Sequence, residues 1–172
     1  MFDMEPVIIK KIFKNQPHYI LTWSPLKKAD KYQINRAVPA MSGVYELYKM
    51  DKEKHLNLLS VTHAWYGGLR SNIREAIDPD TKTDPERRKI LEDDDIELYY
   101  RYSCSDSFGD LLDVVWFLHS TYFPDDVRVE SSNRYENFFL TEKAPDKVFG
   151  WNKNSYEKKY SPPDCERLLG DA

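Results

Sequence analysis

The chain has 172 residues, 41% hydrophobic and 31% charged, with a net charge of −4 at pH 7. That length suits one domain with a sizeable core and falls short of two, and the composition excludes a disordered chain. Cys104 and Cys165 have no metal-ligand spacing and make no disulfide framework, the N-terminus is no basic leader, and no run reaches the length of a spanning helix, so a cytoplasmic protein without a membrane partner is expected.

Charge is unevenly divided. Residues 1–40 carry seven Lys/Arg against three Asp/Glu, residues 41–130 eleven against nineteen, and residues 131–172 seven against seven. The acidic middle opposes a phosphate backbone, which weighs against a core that grips nucleic acid unaided. The basic N-terminal segment leaves a local phosphate contact open. Aromatic residues make up 14%, including 12 Tyr, and serve cores, base stacking and protein interfaces alike.

In chain order, the β-branched run at residues 7–13 and the apolar run at 19–23 flank Asn15-Gln16-Pro17, which predicts a hairpin. The lysine-rich stretch at 27–31 reads as a polar link, short helix or loop. Residues 43–50 alternate as a strand, with Val44, Glu46 and Tyr48 on one side and Tyr45, Leu47 and Lys49 on the other. A charged turn at 51–54 leads to a second strand at 57–66. The connection is too short for a crossover, so the pair is antiparallel. Ser71 is the expected N-cap of a helix to about Ile77, with Arg70 just ahead of it. Asp84-Pro85-Glu86 opens another helix, ending near Leu91, and Glu92-Asp93-Asp94-Asp95 reads as a solvated acidic turn.

Residues 96–102 form the third strand. Asp106-Ser107 caps a helix to about Tyr122 that is apolar nearly all round, with Asp110 and Asp113 sharing a face at i, i+3. Beyond Pro124, the aromatic run at 137–140 packs back as a short strand or helix, residues 148–151 form another apolar spot, and the tail from 152 is loosely held apart from a turn at 166–169. The resulting fold is α+β: a small antiparallel three-stranded sheet flanked by helices over residues 38–125. A hairpin extension (1–37) precedes it and an irregular tail (126–172) follows.

Strand, strand, helix, strand, helix, with Gly43-Val44-Tyr45 in the first strand and Tyr66-Gly67-Gly68 closing the second, resembles the GIY-YIG nuclease domain. The lead-in at 38–42, Asn72-Ile73 and Pro124 fit the same pattern. The resemblance covers about half the chain and implies an active site with Tyr45 and Tyr66, an arginine supporting the phosphate, and a carboxylate holding one Mg²⁺ for phosphodiester hydrolysis. The family arginine falls on Ala76, with Arg70 and Arg74 as neighbours. The family glutamate falls in a stretch whose one acid is Asp113.

Each residue also has a plain reading: Tyr45 and Tyr66 as core or rim aromatics, Asp113 as a solvent-facing helix residue, and His63 and His119 as structural side chains instead of general bases. Three functions follow. The favoured one is a degenerate GIY-YIG-like domain that serves as an interaction or scaffolding module for another protein. The alternatives are a divergent Mg-dependent endonuclease, with Tyr45, Tyr66, Arg70 or Arg74 catalytic and Asp113 as metal ligand, and a nucleic-acid binder that does not cleave.

Overall fold

In the computed structural model, which describes residues 5–126 and 128–146, the architecture is mixed α+β with two sheets. The expected hairpin is present: β1 (Ile8–Phe13) pairs antiparallel with β2 (Gln16–Thr22), Ile8 against Leu21 and Phe13 against Gln16. Lys14 and Asn15 make its turn with φ of 50° and 65°, the left-handed geometry that follows strand twist in two-residue loops. On the other side of β2 lies β7 (Phe139–Lys143), His18 facing Phe139 and Thr22 facing Lys143. The aromatic run near 137–140 therefore packs back as a strand. The pair is parallel because the rest of the core lies between its two strands.

The second sheet holds β3 (Lys27–Lys28), β4 (Gly43–Met50), β5 (Leu56–Ala64) and β6 (Glu97–Cys104) in the order β3-β6-β4-β5, antiparallel throughout. The three strands read from the sequence are extended by a fourth. Lys27 and Lys28 were expected in a link, but after Ser24 bonds Tyr102 the chain continues along the edge of β6, pairing with Tyr100 and Tyr99. The link then becomes α1 (Lys31–Ala37), with Asp30 as N-cap accepting from the Tyr32 amide at 2.9 Å.

Three further helices complete the described chain: α2 (Gly68–Ala76), α3 (Pro85–Glu92) and α4 (Phe108–Tyr122), with a 3₁₀ turn at Pro79–Thr81. Asp84 and Ser107 cap α3 and α4 as the sequence predicts. Ser71 does not cap α2. Its N-cap is Gly67 at φ 79°, so the helix starts four residues earlier and takes in Arg70. Glycine reaches this left-handed conformation without steric cost, and it outcompetes the serine signal downstream. The expectations for residues 148–151 and for the tail from 152 lie outside the described residues.

β4 is the centre of the core, buried on both faces from Gly43 to Tyr48. On one face Val44 meets Tyr19, Leu21 and Trp23 from the hairpin strand and its exit, with Leu111, Val114 and Leu118 of α4. On the other, Tyr45 and Leu47 meet Ile34, Leu69, Ile73 and Tyr100. The alternation read from the sequence thus separates two layers. Each fully buried leucine or isoleucine here contributes about 1.5–3 kcal/mol. Gly43 must be glycine: a Cβ there would lie 2.2 Å from the Ser103 carbonyl oxygen on β6.

Candidate functional site

The two glycine signatures meet at one end of the second sheet, since Gly43 and Ala64 are cross-strand partners. The turn out of β5 is held by Asn72, whose side-chain amide donates to the carbonyls of Tyr66 (2.8 Å) and Gly68 (2.7 Å). Gly68, at φ 76°, lies so close to the 40–41 backbone that a Cβ would sit 2.8 Å from the Ala40 oxygen. The result is a cleft of about 420 Å³ lined by Ala40, Ser42, Trp65, Gly67 and Gly68. Around its mouth are exposed Met41 and Tyr66, the latter 87% exposed. Phe108, which packs on Trp65 (5.2 Å between centroids) and on His63 (5.6 Å), is exposed too. Sequence reading singled out Tyr66 alone. Met41 and Phe108 are 25 and 42 residues away from it, and the fold is what joins them.

The residues implied by the family resemblance are not gathered into one cleft. Tyr45 is buried against α2 and the Tyr100 layer, and burial pushes its phenol above the ordinary value while a hydrogen bond with Thr62 opposes the shift. Arg70 donates from Nε to the Val38 carbonyl at 2.8 Å, which ties α2 to the lead-in of β4. Arg74 is exposed on α2, and Tyr66 points to solvent. Asp113 belongs to α4, packed under the opposite face of the sheet from Tyr45.

Asp113 does not face solvent, the plain reading of it from the sequence. It is 1% exposed, and both carboxylate oxygens are engaged. Oδ2 accepts from the Tyr19 hydroxyl at 2.6 Å and from the Arg134 guanidinium at 3.2 Å, while Oδ1 accepts from the Ser132 amide at 2.9 Å. Asp110, one turn earlier, accepts from Arg134 at 2.8 Å and Lys10 at 3.2 Å. Burial opposes its ionisation, yet these two cations outweigh burial and hold its carboxyl below the usual range. The cluster clamps the 131–135 segment and the hairpin onto α4. The Arg134 guanidinium fills the charge-compensating position beside both carboxylates.

A second polar cluster crosses the Val44 side of the core. Glu46, fully buried, accepts at Oε1 from Arg101 Nε (2.6 Å) and the Tyr48 hydroxyl (2.6 Å). Arg101 stacks 4.4 Å from the Trp23 ring and reaches Glu142 at 3.4 Å. Glu142 also accepts from the Trp23 indole at 2.8 Å and the Tyr122 hydroxyl at 2.7 Å. Burial works against the guanidinium, but Glu46, Tyr48 and Glu142 more than compensate and hold its pKa above the ordinary value. This network joins β4, β6, α4, β7 and the exit of β2. It is an interior brace.

Comparison with curated proteins and with solved structures returns no match for this chain. A family model described as "Uncharacterised protein" matches residues 7–166, and the chain belongs to that family.

Proposed function

We propose that this chain is an interaction module built on a GIY-YIG-like frame, one that does not cleave nucleic acid and that binds another protein in the cytoplasm. The order of the GVY strand, the YGG turn and the helix after it supports the frame. The observation that carries the loss of cleavage is the state of Asp113. Its oxygens are taken by Tyr19, Ser132 and Arg134, under the sheet face opposite Tyr45. Ala76 supplies no cation at the family arginine position, and Arg70 is committed to the Val38 carbonyl. Losing a cation or a metal ligand from such a site removes several kcal/mol of transition-state stabilisation.

Binding is supported by what the signatures leave at the surface: Met41, Tyr66 and Phe108 exposed around a cleft with a glycine-lined wall. Aromatic and methionine side chains of this kind are the common anchors of protein interfaces. The test incubates pure protein with branched, single-stranded and duplex nucleic acid in Mg²⁺ and Mn²⁺, beside Tyr66→Phe and Arg70→Ala. No cleavage above background is expected from any of the three. Cleavage by the wild type that disappears in either variant overturns the proposal.

A further inference from the structure

β5 is the last strand in its sheet, and along its outer edge no other strand pairs among the described residues. An uncovered edge offers backbone donors and acceptors to any extended chain that reaches it. Here one point is covered: at the bulge opposite Leu47/Tyr48, Arg87 donates from Nη2 to the Leu59 carbonyl at 3.1 Å. From Ser60 to His63 the edge borders a groove of about 740 Å³ instead. Leu112 and Val115 of α4, with Phe123, make its floor, and Asp126 with residues 128–131 makes its far wall.

A trench between an edge strand and a helix is the geometry of strand addition, in which main-chain bonds supply affinity and alternate side chains enter the trench. The floor is apolar, and the charged lining residues are Arg87 at one end and Asp126, Arg128 and Glu130 along the far wall. Burial lowers the pKa of both His63 and His119, and Asp126 is spanned by Arg128 through bonds of 2.8 and 2.6 Å. At the Leu59 end stands Arg87, with no carboxylate partner among the described residues, so its charge is open to a ligand acid. A second copy of this chain is a poor occupant, because two concave trenches facing each other leave both unfilled.

On the reading of this chain as an interaction module, we infer that the open edge of β5 is a docking track for an extended peptide with apolar side chains at alternate positions and a carboxylate at the Arg87 end. Residues 60–63 offer a track of about 13 Å at strand spacing. At its far end it runs through His63 to Phe108 and Trp65, joining the aromatic cleft.

The full chain is screened against a displayed library of random decapeptides, and the enriched sequences are synthesised and titrated into isotope-labelled protein. Enrichment of alternating apolar residues beside Asp or Glu is expected, with amide shift changes at 60–63, 112 and 115. Leu112→Glu, at a half-buried floor position, lowers affinity at least tenfold. Arg87→Glu, at a half-buried position on α3, switches the preference from acidic to basic peptides and carries the test if Leu112→Glu fails to fold. Tyr32→Ala, at an exposed position on α1 outside both clefts, leaves binding within twofold. No enrichment, or indifference of the bound peptides to both groove variants, overturns the inference. A footprint confined to Met41, Tyr66 and Phe108 also overturns it while the interaction reading stands. Nucleic-acid cleavage by the same preparation removes that reading itself.

Discussion

Replacing Arg101 by methionine keeps much of the side chain's length and deletes its charge, which takes from fully buried Glu46 the guanidinium bonded to its Oε1 at 2.6 Å. Removing one member of a buried ion pair costs about 3–5 kcal/mol, most of it the uncompensated charge left behind. Glu142 adds less, because its side chain is 21% exposed and it keeps bonds from Trp23 and Tyr122. For a chain of this size each kcal/mol moves the melting temperature by about 2–4 °C, so Arg101→Met lowers it by roughly 6–20 °C. Urea unfolding followed by circular dichroism gives the free energy directly. Adding Glu46→Gln recovers part of the loss, since a neutral amide needs no counter-ion. A loss under about 1 kcal/mol, or a double variant whose losses simply add, refutes the claim that this pair braces the core.

Gly43→Ala places a Cβ 2.2 Å from the Ser103 oxygen, a backbone atom that cannot swing aside, and lowers stability by about 1–3 kcal/mol or more in the same unfolding assay. Tyr66→Ala, at an 87% exposed position, changes stability by less than about 0.5 kcal/mol, so any binding defect it causes is a surface effect. Stability also falls on mild acidification. His18 is buried with both ring nitrogens unpartnered among the described residues, stacked on Phe139 at 5.0 Å and edge-on to Phe13 at 6.1 Å, and burial lowers its pKa. A lowered folded-state pKa means the unfolded chain binds the proton first, so stability is full above the ordinary value of 6.5 and drains as pH falls from there toward the lowered value. Urea midpoints at pH 7.5 and 5.0 differ in that direction, and His18→Phe reduces the difference. A flat profile contradicts the assignment.

What the sequence reveals depends on how local the cause is. The two layers around β4 are legible because alternation places Val44 and Tyr45 on opposite faces whatever else folds. The caps Asp84 and Ser107 are legible because a cap acts within three residues. The start of α2 is less so, because Ser71 gives the stronger local signal while Gly67 gains from a left-handed turn visible only in the backbone. The parallel seat of β7 and the clamp on Asp113 are non-local. Arg134 lies 21 residues beyond Asp113, and Tyr19 lies 94 residues before it. The family resemblance puts Tyr45, Arg70 and Asp113 in one frame, and nothing in the spacing tells which sheet face each takes.

The central claim is that Tyr45, the arginines of α2 and Asp113 do not form one metal-dependent site. Paramagnetic Mn²⁺ titrated into isotope-labelled protein tests it most directly, since bound Mn²⁺ broadens resonances close to it. Without a site, the amides of Tyr45, Tyr66, Arg70 and Asp113 broaden no more than exposed acidic turns such as 92–95, and the weak effect disappears with competing Mg²⁺ and salt. Selective broadening of Tyr45 and Asp113 together at micromolar Mn²⁺, lost in Asp113→Asn, would contradict the account.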